Sequence, residues 1–399
     1  MENRESAPGG LYIHIPFCIR KCRYCDFYSI TDQSLLPAYL QGLEGEFATL
    51  ANSGLIFDTI YIGGGTPSLL SAPQVERLIS VARRQVKIAA ECEISLEVNP
   101  ASVTTRRLRA YRRAGVNRLS VGVQSFQDRH LEVLGRVHRA AEAIETVKAA
   151  RAAGFSSVSL DLIYGIFDQT PGQLQQDLDQ AVALRPNHIS AYTLTIEPDT
   201  PLGRACRQEQ LRPLEDDQVA EMMQQVVTSL TAGGFRQYEI SNFARPGHCS
   251  RHNQKYWTGA PYIGLGAAGH SFLPPLRYWN QANVKDYLEA IAAGRCPRAG
   301  SEILSAGQQL AETVLLRLRT TTGLDLMALT HRFGINLAGL WCDALEILKK
   351  QGLLRARNAR VALTPRGMRV ADAVTRMLLD KLPAVLPEPV SNGPGPAPV

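Results

Sequence analysis

The sequence predicts an α/β fold built as a partial (β/α)6 barrel with a small C-terminal module, and three observations predict it. From residue 11 to about 195, short β-rich runs alternate with longer amphipathic helical patterns, the order that gives parallel strands joined by helical crossovers. Most of those runs end in glycine or polar residues, which a barrel gathers at one mouth, at the carboxyl ends of its strands. The chain has 399 residues, 45% hydrophobic and 20% charged, enough to bury such a sheet and carry a smaller unit beside it.

The runs come in the order "LYIHIP", "FDTIYIGGG", "ECEISLEVNP", "VNRLSVGVQS", "FSSVSLDLIYG" and "NHISAYTLTIEP". Segments such as "LLPAYLQGLEGEFATL" and "APQVERLISVARRQV" lie between them and carry apolar residues at helical spacing. Gly63, Gly64, Gly65 and Thr66 follow the second run, and Glu97 and Asn99 belong to the third. Gln124 and Ser125 close the fourth, and Asp161 lies in the fifth. A barrel makes these residues neighbours, whereas an open doubly wound sheet would unite only those at its switch point.

Residues 1–10 read as a flexible N-terminus and residues 11–295 as the barrel with its extension. Within that extension, a helix ("EDDQVAEMMQQVVTSLTAGG") and aromatic, irregular stretches are expected to complete the sheet and cover its mouth. Residues 301–380 read as a winged-helix-like α+β module, because helical segments precede the hairpin pattern "QGLLRARNARVALTPRG" and a last helix. The Pro-rich stretch 381–399 reads as disordered.

A net charge of +6 is too small over this length to imply a nucleic-acid partner, though it suits an anionic small ligand. The basic helix "TTRRLRAYRR" reads as a solvated outer face; RNA modification is the remote alternative. No apolar run reaches the roughly 18 residues a membrane span needs, and "MENRESAPGG" lacks a signal-peptide core. The expectation is a cytoplasmic protein that is not transmembrane.

Of eight cysteines, Cys18, Cys22 and Cys25 form a C-x3-C-x2-C pattern after the first strand. The other five are scattered singly and read as small buried hydrophobes. A structural zinc site normally joins two such pairs, and no second pair follows. Three loop thiols without a metal would be a redox liability. Three thiolates can instead hold three irons of a [4Fe–4S] cluster and leave the fourth iron open to a ligand.

This loop resembles the signature of the radical S-adenosylmethionine (SAM) superfamily. "YIHIPFC", "GGGTPSLL", "SLEVNP", "RLSVGVQSF", "LGRVH" and "DLIYG" narrow the resemblance to the oxygen-independent coproporphyrinogen III oxidase family over roughly residues 11–380. The resemblance implies a [4Fe–4S] cluster on Cys18, Cys22 and Cys25 whose open iron chelates SAM. It places Tyr12, Tyr24, Gly64, Gly65, Thr66 and Glu97 against that SAM, and Gln124, Arg136 and Asp161 at the same mouth, where the oxidases hold a second one. Glycines admit close backbone approach, and Glu97 can accept from an amine or a ribose hydroxyl.

Two branches of the family compete. The oxidases carry a further cysteine two residues after the third, where this chain has Phe27, and a longer N-terminal extension. "RHNQKYW" resembles the HNxxYW motif of the HemW haem-chaperone branch, which makes His252, Tyr256 and Trp257 candidates for contact with haem, with His270 in "GAAGHSF" as another. A histidine beside aromatics is also what a satisfied core residue looks like. The expected function is a haem chaperone that passes haem to acceptor proteins such as membrane-associated respiratory enzymes, with oxidase activity as the alternative.

Overall fold

The computed structural model describes residues 8–51 and 53–383. Strand β1 (Gly9–Ile15) is buried at every position but Tyr12, so it reads as an unbroken apolar run, as a strand covered on both faces must. It begins two residues inside the segment expected to be flexible. Residues 1–7, and residues 384–399 of the Pro-rich stretch, lie outside the described residues.

Strands β2 (Ile56–Gly64), β3 (Lys87–Val98), β4 (Arg118–Gln124), β5 (Ser157–Tyr164) and β6 (His188–Thr193) follow β1 in parallel, each beside the one before it. Helices Leu36–Ala48, Ala72–Gln85, Thr105–Arg113, Ala140–Ala152 and Pro171–Ala183 supply the crossovers. Such crossovers are right-handed, so a strand order that never reverses puts every helix on one face and curls the sheet about the other. A doubly wound sheet needs a reversal among these strands, and none occurs.

The last of these helices shows how local sequence sets the elements. Thr170 Oγ1 accepts from Gln173 N at 3.3 Å, Gln173 Oε1 accepts from Thr170 N at 2.9 Å, and Pro171 occupies the first turn. Its buried side chains are Leu174, Asp177, Leu178 and Ala181, a stripe at helical spacing with one acid in it.

The extension lengthens the sheet at both edges. Strands β7 (Arg236–Gln237) and β8 (Asn242–Ala244) form an antiparallel pair, and β8 adds antiparallel to β6. At the other edge β9 (Tyr262–Leu265) pairs parallel with β1, and β10 (His270–Leu273), β11 (Leu276–Asn280) and β12 (Arg298–Ile303) follow as an antiparallel meander. The turn between β9 and β10 reaches the mouth. Tyr39 donates to the His14 carbonyl at 2.9 Å and accepts from Ala267 N at 2.9 Å. Buried Glu46 accepts from Gly266 N at 2.8 Å and Tyr287 Oη at 2.7 Å, and burial raises its pKa.

A small sheet and helix module follows. Strands β13 (Leu324–Asp325), β14 (Leu354–Arg357) and β15 (Arg360–Leu363) pair in the order β13-β15-β14, with four main helices around them: Ala306–Leu318, Leu326–Phe333, Cys342–Lys350 and Ala371–Leu379. Its separate core includes Val314, Phe333, Trp341 and Leu378. Among the described residues, no helix is long and apolar enough to cross a membrane.

Candidate cluster and cofactor site

The loop after β1 is pinned before any ligand is considered. Cys18 N donates to Ile30 O at 2.9 Å, Ile30 N to Pro16 O at 2.7 Å, and Arg23 N to Leu134 O at 3.0 Å. Arg20 Nη2 reaches the carbonyls of Gly135 and Arg136, at 3.0 and 2.6 Å. The tethers fix the backbone and leave the three thiols free, Cys18 buried and Cys22 and Cys25 half-buried.

Donors already face two of those sulfurs. Arg136 Nη1 lies 3.4 Å from Cys22 Sγ, and Thr66 Oγ1 lies 3.6 Å from Cys18 Sγ. Such donors suit sulfur ligands of a cluster. Burial pushes the Cys25 thiol up to about 11 although the Phe27 backbone N–H and the Lys21 charge pull the other way, so a metal would be needed to hold it deprotonated at neutral pH. Among the described residues no group of three His, Cys, Asp or Glu side chains is placed to hold a metal ion. A cluster does not ask for that convergence, because each thiolate takes a different iron. The donor set therefore fits an iron–sulfur cluster better than zinc.

The wall beside the loop is the turn after β2. Gly64 has φ +117°, and a Cβ there would lie 2.7 Å from the His14 ring, so this position admits glycine alone. A Cβ on Gly65 would lie 2.9 Å from Cys18 Sγ. Glu97, at the end of β3, accepts from Tyr61 Oη at 2.8 Å and from Gly64 N at 3.1 Å. Tyr12 Oη donates to His14 Nδ1 at 2.9 Å, the acceptor nitrogen because Nε2 meets the Tyr28 carbonyl at 3.1 Å. The structure thus sets Gly65 and Thr66 against Cys18 and joins Gly64 to Glu97 by a hydrogen bond and to Tyr12 through the His14 ring.

Burial, reinforced by nearby Asp161, pushes the Glu97 carboxyl from the usual 4.5 up to about 7. In that window the folded chain binds more protons than the unfolded one, so this group makes stability fall as pH rises from about 4.5 to about 7. Urea midpoints of the ligand-free chain at pH 5 and pH 8 measure the effect. Glu97→Gln should gain on the wild type across that range.

On the β4 and β5 side, Ser120 Oγ meets both Asp161 oxygens, at 3.0 and 2.9 Å, and burial raises the Asp161 pKa. Arg136 Nη2 donates to Gly122 O at 3.0 Å. A Cβ on Gly122 would lie 3.0 Å from Gln124 Nε2 and 3.3 Å from Arg136 Nη2, so the two side chains share the space above that glycine. Tyr24 packs against Leu134, Ile163 and Ile166 at the edge of the loop, and burial raises its pKa.

Of the haem candidates, His252 and Tyr256 bond each other in the interior, whereas His270 is exposed. His252 is 1% exposed. Its Nδ1 bonds Thr59 Oγ1 at 2.8 Å and its Nε2 bonds Tyr256 Oη at 2.9 Å, so no ring nitrogen is open to a metal. Gly10 pairs with Thr59 and Tyr12 with Tyr61, which puts the His252 ring one interior layer below the tyrosines, towards the amino ends of the strands. Its ring stacks on Tyr61 at 5.1 Å, and burial followed by the Lys255 charge lowers its pKa to about 3. The structure places His252 as a packed core residue with both ring nitrogens engaged. Tyr256 is occupied as its partner, and Trp257 lines a cleft against the C-terminal module with Phe272, Glu312 and Leu316. Among these candidates His270 differs. It is exposed at the start of β10, beside the mouth, and its ring stacks on Trp279 at 6.1 Å.

Sequence reasoning passed over Tyr61, Thr59 and His14. The signal was present, since Thr59 and Tyr61 alternate on one face of β2 and His14 follows Tyr12 by two on β1. The arginine-rich helix is less free than it reads. Arg107 ties it inward, donating to the carbonyls of Ser102, Leu69 and Leu70.

Comparison with known proteins follows this geometry. Residues 12–181 match the radical SAM superfamily, and residues 304–370 match the HemN C-terminal domain. The chain is similar to the heme chaperone HemW of Bacillus subtilis (strain 168), 37% identical over 376 residues covering 93% of this chain and 99% of that protein. It is similar to the Escherichia coli (strain K12) heme chaperone HemW, 42% identical over 269 residues, 66% of this chain and 70% of that one. The mouse mitochondrial radical S-adenosyl methionine domain-containing protein 1 is 33% identical over 402 residues, 94% of this chain and 88% of that protein. Among solved structures, coproporphyrinogen III oxidase (HemN) from Escherichia coli, a radical SAM enzyme, superposes with a TM-score of 0.82 at 25% identity, covering 95% of this chain and 91% of that one.

Proposed function

The chain belongs to the HemW family within the radical SAM superfamily, and from that premise we propose that it is a haem chaperone carrying a SAM-ligated [4Fe–4S] cluster. The observation that carries the reading is the pinned loop of Cys18, Cys22 and Cys25 against the Gly64, Gly65 and Glu97 wall, with donors already facing two of the sulfurs. The thiolates would hold three irons, and Glu97, Gly64 and Tyr12 would line the SAM site. Bound there, a reduced cluster would supply the electron that a radical SAM protein uses on SAM.

The chain's own residues prepare that mouth. Arg136 keeps a guanidinium donor 3.4 Å from the Cys22 sulfur. Gly65 leaves room for Cys18, and Tyr61 holds the Glu97 carboxyl to one side with its hydroxyl. His270, exposed next to Trp279, is the proposed haem contact, because a flat apolar macrocycle needs an aromatic surface and an accessible imidazole. Haem is poorly soluble, so a cytoplasmic carrier shields it until an acceptor, such as a membrane-associated respiratory enzyme, takes it over.

One observation favours a second reading, propionate decarboxylation of coproporphyrinogen III: the superposition on HemN. Phe27, 70% exposed where the oxidases carry a cysteine, weighs against it. The test is to reconstitute the cluster anaerobically, supply coproporphyrinogen III with SAM and reductant, and titrate haem separately. A stoichiometric Soret band without porphyrinogen turnover is expected. Formation of protoporphyrinogen would overturn the chaperone reading.

A further inference from the structure

β4 ends in a feature that regular strand geometry does not explain. Gln124 has φ +67°, in the left-handed region that side chains disfavour, and Ser125 N donates to Val123 O at 2.9 Å across it. That i→i+2 bond about a positive φ is the strained form of the γ-turn. The pairing with β5 slips at the same point, since Gly122 faces Asp161 and Gln124 faces the next residue, Leu162. Strain of this kind persists only where the surroundings over-determine it, and it gathers at functional sites.

The surroundings do over-determine it. Asp177 is the one acid on the buried stripe of helix Pro171–Ala183. Its Oδ2 accepts from Ser125 Oγ at 2.7 Å and its Oδ1 from Phe126 N at 2.8 Å. Ser125 Oγ in turn accepts from Gln127 N at 3.0 Å. On the other side of the turn, His138 Nε2 donates to Val123 O at 3.1 Å. Asp177, Ser125 and His138 are all nearly inaccessible to solvent. Among the described residues, none of them bonds the thiols or the glycine wall. What the clamp fixes is Gln124, whose amide nitrogen shares the space above Gly122 with the Arg136 guanidinium.

We propose that Asp177 is a positioning residue, which holds the Gln124 turn so that the Gln124 amide stands beside Arg136 in the ligand mouth. The inference deepens the proposed function and rests on that mouth binding SAM.

The test uses the full chain with its cluster reconstituted, and reads SAM affinity by equilibrium dialysis together with the thermal midpoint. Gln124→Gly relieves the positive φ, so its midpoint should rise while SAM binding weakens about tenfold. Asp177→Asn keeps the shape but gives up one acceptor, and it should weaken SAM binding to a similar degree. The double variant should lose no more affinity than either single one, because both act through the same amide. A helix-packing role alone would lower the midpoint of Asp177→Asn and leave the affinity untouched. Should that variant fail to fold, Ser125→Ala removes one of the two tethers and should weaken binding in the same direction. Full affinity in Gln124→Gly, or independent losses that multiply in the double variant, would overturn the positioning role. A cluster-loaded wild type that bound no SAM would sink the proposed function as well as this inference; full affinity in Gln124→Gly would sink this inference alone.

Discussion

Replacing Cys22 by alanine is expected to abolish cluster assembly while leaving the fold in place. Iron and sulfide after reconstitution should drop from about four of each per chain to near zero, because a cubane held by two thiolates exposes two irons to loss. The loop has no need of that thiol for its own order. Its backbone is tied to Ile30, Pro16 and Leu134, and Arg20 binds the carbonyls of Gly135 and Arg136. The thermal midpoint of the metal-free chain should therefore move little. One cost remains, since Arg136 loses its sulfur acceptor while its Nε already lacks a partner. Its Nη2 bond to Gly122 O keeps the guanidinium from being stranded. Iron content and far-UV circular dichroism on the same sample decide the matter. A variant that still took up a full cluster would show that Cys22 is no ligand.

The strands of the barrel were legible because β1, β2, β4 and β5 are buried along most of their length, and β3 and β6 over part of theirs, so apolar runs recur along the chain. Their glycine and polar ends were legible for the same reason, as each breaks such a run. What local pattern could not supply was pairing over long sequence distance. β9 joins β1 across about 250 residues, and only the folded sheet shows that "YIGLGAAGHSF" lies beside "LYIHIP". The same distance hid the His252 environment. Tyr256, four residues on in one helix, was a readable partner, but Thr59 was not, and it takes the second ring nitrogen. Asp177 was readable in principle as an acid on an apolar stripe. Its meaning depends on Ser125 and Phe126, some fifty positions away.

The two histidines separate by experiment. His270→Ala is expected to weaken haem binding by about tenfold or more, with little change in stability, because the residue is exposed and its ring stacks on Trp279 at the surface. Partial burial and the Arg277 charge lower its pKa, so the imidazole stays neutral at pH 7, the form that ligates iron. His252→Ala is expected to do the reverse, holding its haem affinity and losing about 2–4 kcal/mol of stability. It empties a fully packed site and leaves the hydroxyls of Thr59 and Tyr256 without their shared partner beneath Tyr12 and Tyr61. Any iron placed at His252 would first have to break one of those two bonds inside the barrel, at its amino-terminal level, where packing serves stability more than chemistry. Haem titration by the Soret band and urea unfolding of both variants give the two readouts. Loss of haem from His252→Ala at unchanged stability would return that residue to the haem site and displace His270 from it.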